Sequence, residues 1–325
     1  MDIEFMMDNV KAEQHLIDFI NNIMTTVLND YEFDENLIDY IIFADNANFG
    51  KALSKYSNQK TYTNNEYYFA VGKIIENYHN KVLTHSIIFH DSVFTGVIAG
   101  KLKGSMIDEW DINEAKSYYV IYHEIAHCID GHTRGISKKH TLEGGFRIHS
   151  VANYYIDKLI DEFYCSVISA RGMYPKAFKS KVTEIMKLMS DGVNDAIEYR
   201  NKIKNSDEEK VKIALQISGL FWLILIQISK LIGIKIGNCK FEDFQMTFTK
   251  DNLEANRLII QFESYLKSLW QEYPTTLPNI NKHLFNFWND MTLVFGYKFE
   301  TTKKGDSIYW NENHSLDDFI RNLKY

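Results

Sequence analysis

The chain has 325 residues, enough for two domains or one large one, and 45% of them are hydrophobic and 14% aromatic. That content supplies a substantial core and excludes an intrinsically disordered chain. A net charge of −7 leaves no basic excess to neutralise phosphates, which excludes a nucleic-acid binder of the ordinary electrostatic kind.

The start, Met1-Asp2-Ile3-Glu4, is acidic, and no secretory signal is read there. Residues 12–28 read as an amphipathic helix, followed by a short apolar run, Leu37 to Phe43. Residues 46–65, rich in Asn, Lys and Ser, predict a loop, and Glu66 to Tyr78 predicts a helix. His85 to His90 and Ser92 to Ile98 then read as two short strands around Asp91, with Gly96 and Gly100 as breakers. The free edge of a strand here could pair with an extended peptide, although an ordinary sheet strand would look the same.

The most informative stretch follows, Tyr118 to His132. It contains His123-Glu124-Ile125-Ala126-His127, one HExxH. Asp111 with Glu114 forms a capping-box pattern, and Ala115, Tyr118, Tyr119, Tyr122, Ile125, Ala126 and Ile129 recur at helical spacing. Gly131 is the expected C′ glycine. On such a helix His123 and His127 sit one above the other, so two neutral imidazoles can grip one Zn²⁺ with Glu124 beside its open position. Three fixed positions in five arise by chance in roughly a few per cent of chains this long, so the surroundings must support the motif. Cys128 points about 100° away from His127 on a helix and reads as buried filler. His132 reads as lying past the helix end, where a cation suits the dipole. Cys128, Cys165 and Cys239 are odd in number and lack CxxC spacing, so a reducing, cytoplasmic compartment is expected.

After a polar loop at 133–145, residues 148–171 predict a second helix closed by Gly172 and Pro175. It carries the acidic side chains that could complete a three-ligand site. A third histidine in the form HExxHxxGxxH would need glycine at 130 and histidine at 133, where the chain has Asp130 and Thr133. A carboxylate ligand followed four residues later by Asp is met by Asp157 and Asp161, with Asp161 placed to accept the second N–H of a ligating histidine. Asp157 is shorter than the usual Glu. Glu162 is the alternative third ligand, and the spacing weighs slightly towards Asp157.

Residues 176–210 predict a charged helix, and Ile213 to Ile228 a nearly apolar one, read as a buried core helix in preference to a membrane span because Gln216, Ser218, Gln227 and Ser229 dilute it. Leu253 to Glu272 and Ile280 to Asp290 predict helices around a Tyr273-Pro274 to Pro278 turn. Lys298 to Trp310 predicts a hairpin, and Ser315 a cap on a last short helix.

His123-Glu124-Ile125-Ala126-His127 with Gly131-His132 resembles the helix of the HtpX-like gluzincin metallopeptidases. The layout, an aromatic-rich helix leading into the motif, an acidic second helix, a long apolar helix and a late Pro-containing turn, is similar to that of the phage-exclusion peptidases (Lit-like proteins). In the latter the turn tends to carry His-Pro, and this chain has Tyr273-Pro274. The resemblance is specific at 118–132, loose at 157–170 and architectural beyond. It implies His123, His127 and an acidic residue of the second helix as zinc ligands, with Glu124 as the base.

The expected fold is α+β and predominantly α-helical: a zincin-like metallopeptidase core of small sheet plus active-site helix, with a helical C-terminal part. The expected organisation is 1–110 for N-terminal helices and sheet, 111–175 for the motif helix and acidic helix, completed by 80–110, and 176–325 for the remainder. The expected activity is zinc-dependent hydrolysis of peptide bonds in a restricted set of protein substrates, Glu124 activating a water at the metal. Tyr154, Tyr155 and His283 are open candidates for stabilising the oxyanion. Two competing readings are a catalytically silent HExxH protein that binds a regulatory partner and a membrane-associated peptidase using 213–228.

Overall fold

Phe5, Phe43 and Phe89 stand in register on adjacent strands and stack, with ring centroids 5.8 and 5.5 Å apart. They mark the centre of the sheet in the computed structural model, which describes all residues except 9–12, 57–63, 66–67, 70, 104–109, 136–147, 203–206, 245–252, 276–278, 295–296, 303–304 and 311–325. The helix expected after Ser315 lies outside the described residues. The chain divides into two compact units, Met1–Lys138 with Ile168–Ser180, and Lys139–Val167 with Lys181–Tyr325.

The first unit comprises β1 (Asp2–Met6), α1 (Gln14–Asp30), β2 (Ile38–Ala44), α2 (Phe49–Tyr56), the two-residue strands β3 (Asn64–Asn65) and β4 (Tyr68–Phe69), β5 (Gly72–His79), β6 (Val82–His90), α3 (Asp91–Lys103) and α4 (Ile112–Arg134). Strands β1, β2 and β6 run parallel, and β5 pairs antiparallel with the outer side of β6, giving the order β1-β2-β6-β5. β2 is inner and reads as a continuous apolar run because both its faces are covered. On one face Ile41, Phe43, Ile87 and Phe89 pack with Met24 and Leu28 of α1, Phe94 of α3, and Ile121, Ile125 and Cys128 of α4. On the other, Ile42 and Ile88 pack with Phe49, Ala52 and Leu53 of α2. Each such side chain removed from water contributes roughly 1.5–3 kcal/mol of transfer free energy, so α4 is anchored by its apolar face.

The second unit takes in most of α5 (Ile148–Ser169) and α6 (Pro175–Lys202), then α7 (Asp207–Gly237), α8 (Leu253–Gln271), α9 (Ile280–Val294) and the hairpin β7 (Tyr297–Thr302)–β8 (Gly305–Trp310). Its core is aromatic: Trp222 of α7 lies parallel to Trp288 of α9 at 5.3 Å and to Tyr155 of α5 at 6.2 Å. The fold is therefore mostly helical with a small mixed sheet, the expected α+β class. One segment, Gln216–Gly237, is apolar and long enough to cross a membrane by length and composition (mean hydropathy 1.9), yet 89% of its apolar window is buried within the protein, the packing of a core helix.

Three of the elements expected before the HExxH helix differ from the structure. Within Glu66 to Tyr78, expected to be helical, Gly72–His79 instead forms strand β5. Its turn, Asn80-Lys81, has φ of 52° and 72°, the paired positive values of a two-residue type I′ hairpin. Ser92 to Ile98 is not a strand but part of α3, and its glycines are sites of close approach instead of breakers: Gly96 lies against Ser117 of α4. Within the expected loop at 46–65, Phe49–Tyr56 is helical because Phe49, Ala52 and Leu53 share one buried face.

Candidate metal centre

Helix α4 begins as its sequence dictates. Asp111 Oδ1 accepts from the backbone N–H of Asn113 (2.9 Å) and Glu114 (3.1 Å), while Glu114 Oε2 accepts from the N–H of Asp111 (2.8 Å). The helix runs past Gly131, which is buried in its interior, and ends at Gly135 in the left-handed region (φ 64°). His132 consequently stands in the last turn and not beyond it, its ring edge-on to His85 at 5.1 Å and to Phe33 at 5.4 Å. Burial pushes the His132 imidazole below its ordinary pKa. Cys128 is fully buried in the core, as filler.

One turn apart on this helix, the rings of His123 and His127 lie 4.9 Å centroid to centroid and almost perpendicular. His123 is buried and His127 half-buried. The Nδ1 of His123 faces Ser169 Oγ at 3.4 Å, and that hydroxyl donates onward to Tyr119 Oη at 3.3 Å. With Nδ1–H turned to Ser169, Nε2 is the nitrogen that can offer a lone pair to a metal.

The third side chain is Glu162. Its carboxylate and one nitrogen each from His123 and His127 all lie within 4.8 Å of one another. Two imidazoles and a carboxylate are the donor set of a catalytic zinc, and the group could hold a metal ion. Glu162 Oε2 is ion-paired at 2.6 Å with the ammonium of Lys230 of α7, whose side chain is only 8% exposed.

Asp157, towards which the spacing leaned, is exposed and stands outside this trio. Five residues on a helix are about 140° of rotation, so Asp157 and Glu162 face different ways, and only one can meet the imidazoles. Asp161 is buried on the same helix, 5% exposed. The partner seen at His123 Nδ1 is Ser169, a residue that no spacing rule marks.

Glu124 is half-buried, with its carboxylate against the first residue of β5: a β-carbon on Gly72 would stand 2.6 Å from Glu124 Cδ and 2.7 Å from Oε1. The three oxyanion candidates have other surroundings. Tyr155 stacks on Trp222, with its phenol pKa raised by burial, and Tyr154 lies under the Lys158 ammonium at 4.7 Å. His283 is exposed and packs on Tyr265. Lys230 was the readable signal among the unanticipated residues, one of two cations, with Lys235, inside the otherwise uncharged segment 216–237 of α7.

No family model matches the chain, and no curated protein or solved structure matches it either.

Proposed function

We propose that the chain is a zinc-dependent metalloendopeptidase with a zincin-like core, cleaving a restricted set of protein substrates. The observation that carries this reading is the convergence of ligand atoms of His123, His127 and Glu162 within 4.8 Å of one another, with Glu124 following His123 on the helix that carries both histidines. Zinc held by these three would supply Lewis-acid polarisation of a water and of the scissile carbonyl. Glu124 takes the proton from the attacking water and returns it to the leaving amine, as a general base and then a general acid. The wall formed by β5 keeps that carboxylate in place, because only a glycine at 72 leaves it room. β5 is also the last strand of its sheet, so an extended peptide could add along it through backbone hydrogen bonds and pass Glu124.

A second reading, an HExxH protein that binds a partner and hydrolyses nothing, draws on one observation: Glu162 already has a cationic partner in Lys230. Metal analysis and cleavage assays separate the two. Purified wild type should carry stoichiometric zinc, Glu124→Gln should keep the zinc and lose cleavage, and His123→Ala should lose both. The new peptide ends that appear when wild type, but not Glu124→Gln, is expressed identify the substrate. Zinc-loaded wild type that generates no such ends supports the binding reading instead.

A further inference from the structure

Lys230 sits in the interior of the most apolar helix of the chain, flanked by Ile228, Ser229, Leu231 and Ile232, all 2% exposed or less. Its own side chain is 8% exposed, and its ammonium meets Glu162 Oε2 at 2.6 Å. A buried ammonium is costly unless a carboxylate and further hydrogen bonds compensate it, so this ion pair is part of how α7 is accommodated beside α5. The same carboxylate is the acidic member of the trio formed with His123 and His127.

Resting on the metal site proposed above, we infer that Lys230 is a resident counter-ion that shares Glu162 with the metal and keeps metal occupancy reversible. In the metal-free protein the ammonium neutralises Glu162, so a half-buried carboxylate is held oriented before any metal arrives. When a divalent cation enters, Oε2 stays with Lys230 and Oε1 becomes the ligand, so the carboxylate contributes one oxygen and a position remains for water. The fixed positive charge next to the ligand repels the incoming cation in a poorly screened environment and lowers its affinity. The protein is thereby built to persist without metal and to respond to its availability.

The test is a competition titration of zinc against a chromophoric chelator at pH 8, on the full chain of wild type, Lys230→Met and Lys230→Arg. Lys230→Met should bind zinc at least tenfold more tightly than wild type, melt at a lower temperature without metal, and gain more in melting temperature on adding zinc. Lys230→Arg, which keeps the charge, should stay within a few-fold of wild type. Zinc binding by Lys230→Met equal to or weaker than wild type overturns the inference while leaving the metal site standing. Uptake by Lys230→Met alone upholds the counter-ion and sinks the resident metallopeptidase, and uptake by neither protein defeats both. If Lys230→Met does not fold, Lys230→Gln replaces it. The ¹⁵N resonance of the Lys230 ammonium in wild type gives a variant-free readout: it should be protected from exchange and shift on adding zinc, and an unshifted resonance overturns the inference.

Discussion

Gly72 and Glu124 touch: the glycine at the start of β5 leaves no room for even a methyl group beside the Glu124 carboxylate, whose Cγ and Cδ would each stand 2.6 Å from it. The last strand of the sheet and the middle of the HExxH helix are therefore fitted together at the one side chain proposed to move protons. Gly72→Ala should push that carboxylate aside by an ångström or so. Cleavage should fall on the order of 10²-fold, the usual cost of such a misplacement. Zinc content should not change, because the side chain nearest to a β-carbon at 72 is Glu124, which is outside the trio. Steady-state kinetics with parallel metal analysis checks both, and undiminished turnover would remove Glu124 from the proton-transfer role.

Ser169 makes a comparable demand on His123. Its hydroxyl donates to Tyr119 and so is free to accept at His123 Nδ1, an arrangement that favours the tautomer presenting Nε2. Partners of this kind are worth 10–100-fold in metal affinity. Ser169→Ala should weaken zinc binding by roughly that factor, and Ser169→Thr, which keeps a hydroxyl, should restore most of it. A Thr variant as weak as Ala would mean that Ser169 matters only for packing.

What the residues revealed in advance follows the range over which each signal acts. The capping box of Asp111 and Glu114, the one-turn spacing of His123 and His127, and strand β6 are local patterns, and all three appear in the structure. β5 was unreadable because an edge strand carries polar side chains on its open face, and its turn uses Asn80-Lys81 where glycine normally signals the positive φ. Gly131 resembled a helix stop, yet α4 buries it and continues one more turn to Gly135. The choice between Asp157 and Glu162 depends on which way α5 is rotated, and that is set by distant packing such as Gly233 of α7 against the Phe163 carbonyl.

The start of α4 offers a stability prediction separate from the chemistry. Asp111 satisfies two of the helix's orphan N–H groups, and the Lys103 ammonium meets both Asp111 and Glu114. The cap holds the Asp111 carboxyl below the usual carboxylate range, chiefly through the Glu114 backbone N–H. Asp111→Ala should lower the melting temperature by about 2 °C in a protein of this size. Asp111→Asn or Asp111→Ser should recover most of it, since either can accept the same hydrogen bonds. Thermal unfolding followed by circular dichroism measures the difference.

His132 makes the pH dependence specific. Burial lowers its pKa, against weaker upward pulls from the Leu83 backbone and from Glu76, while the neighbouring ring is His85. The unfolded chain protonates this residue near its ordinary pKa of about 6.5, and the folded chain only at lower pH. Across that interval the unfolded state binds more protons, so stability rises with pH there. The contribution of His132 is thus intact above about pH 6.5, is lost as the pH falls towards its folded value, and is constant below it. His132→Gln, which can still donate to Leu83, should flatten the decline in urea midpoint between pH 7.5 and 5.5. Equal slopes in wild type and variant would show that the end of α4 does not govern acid sensitivity.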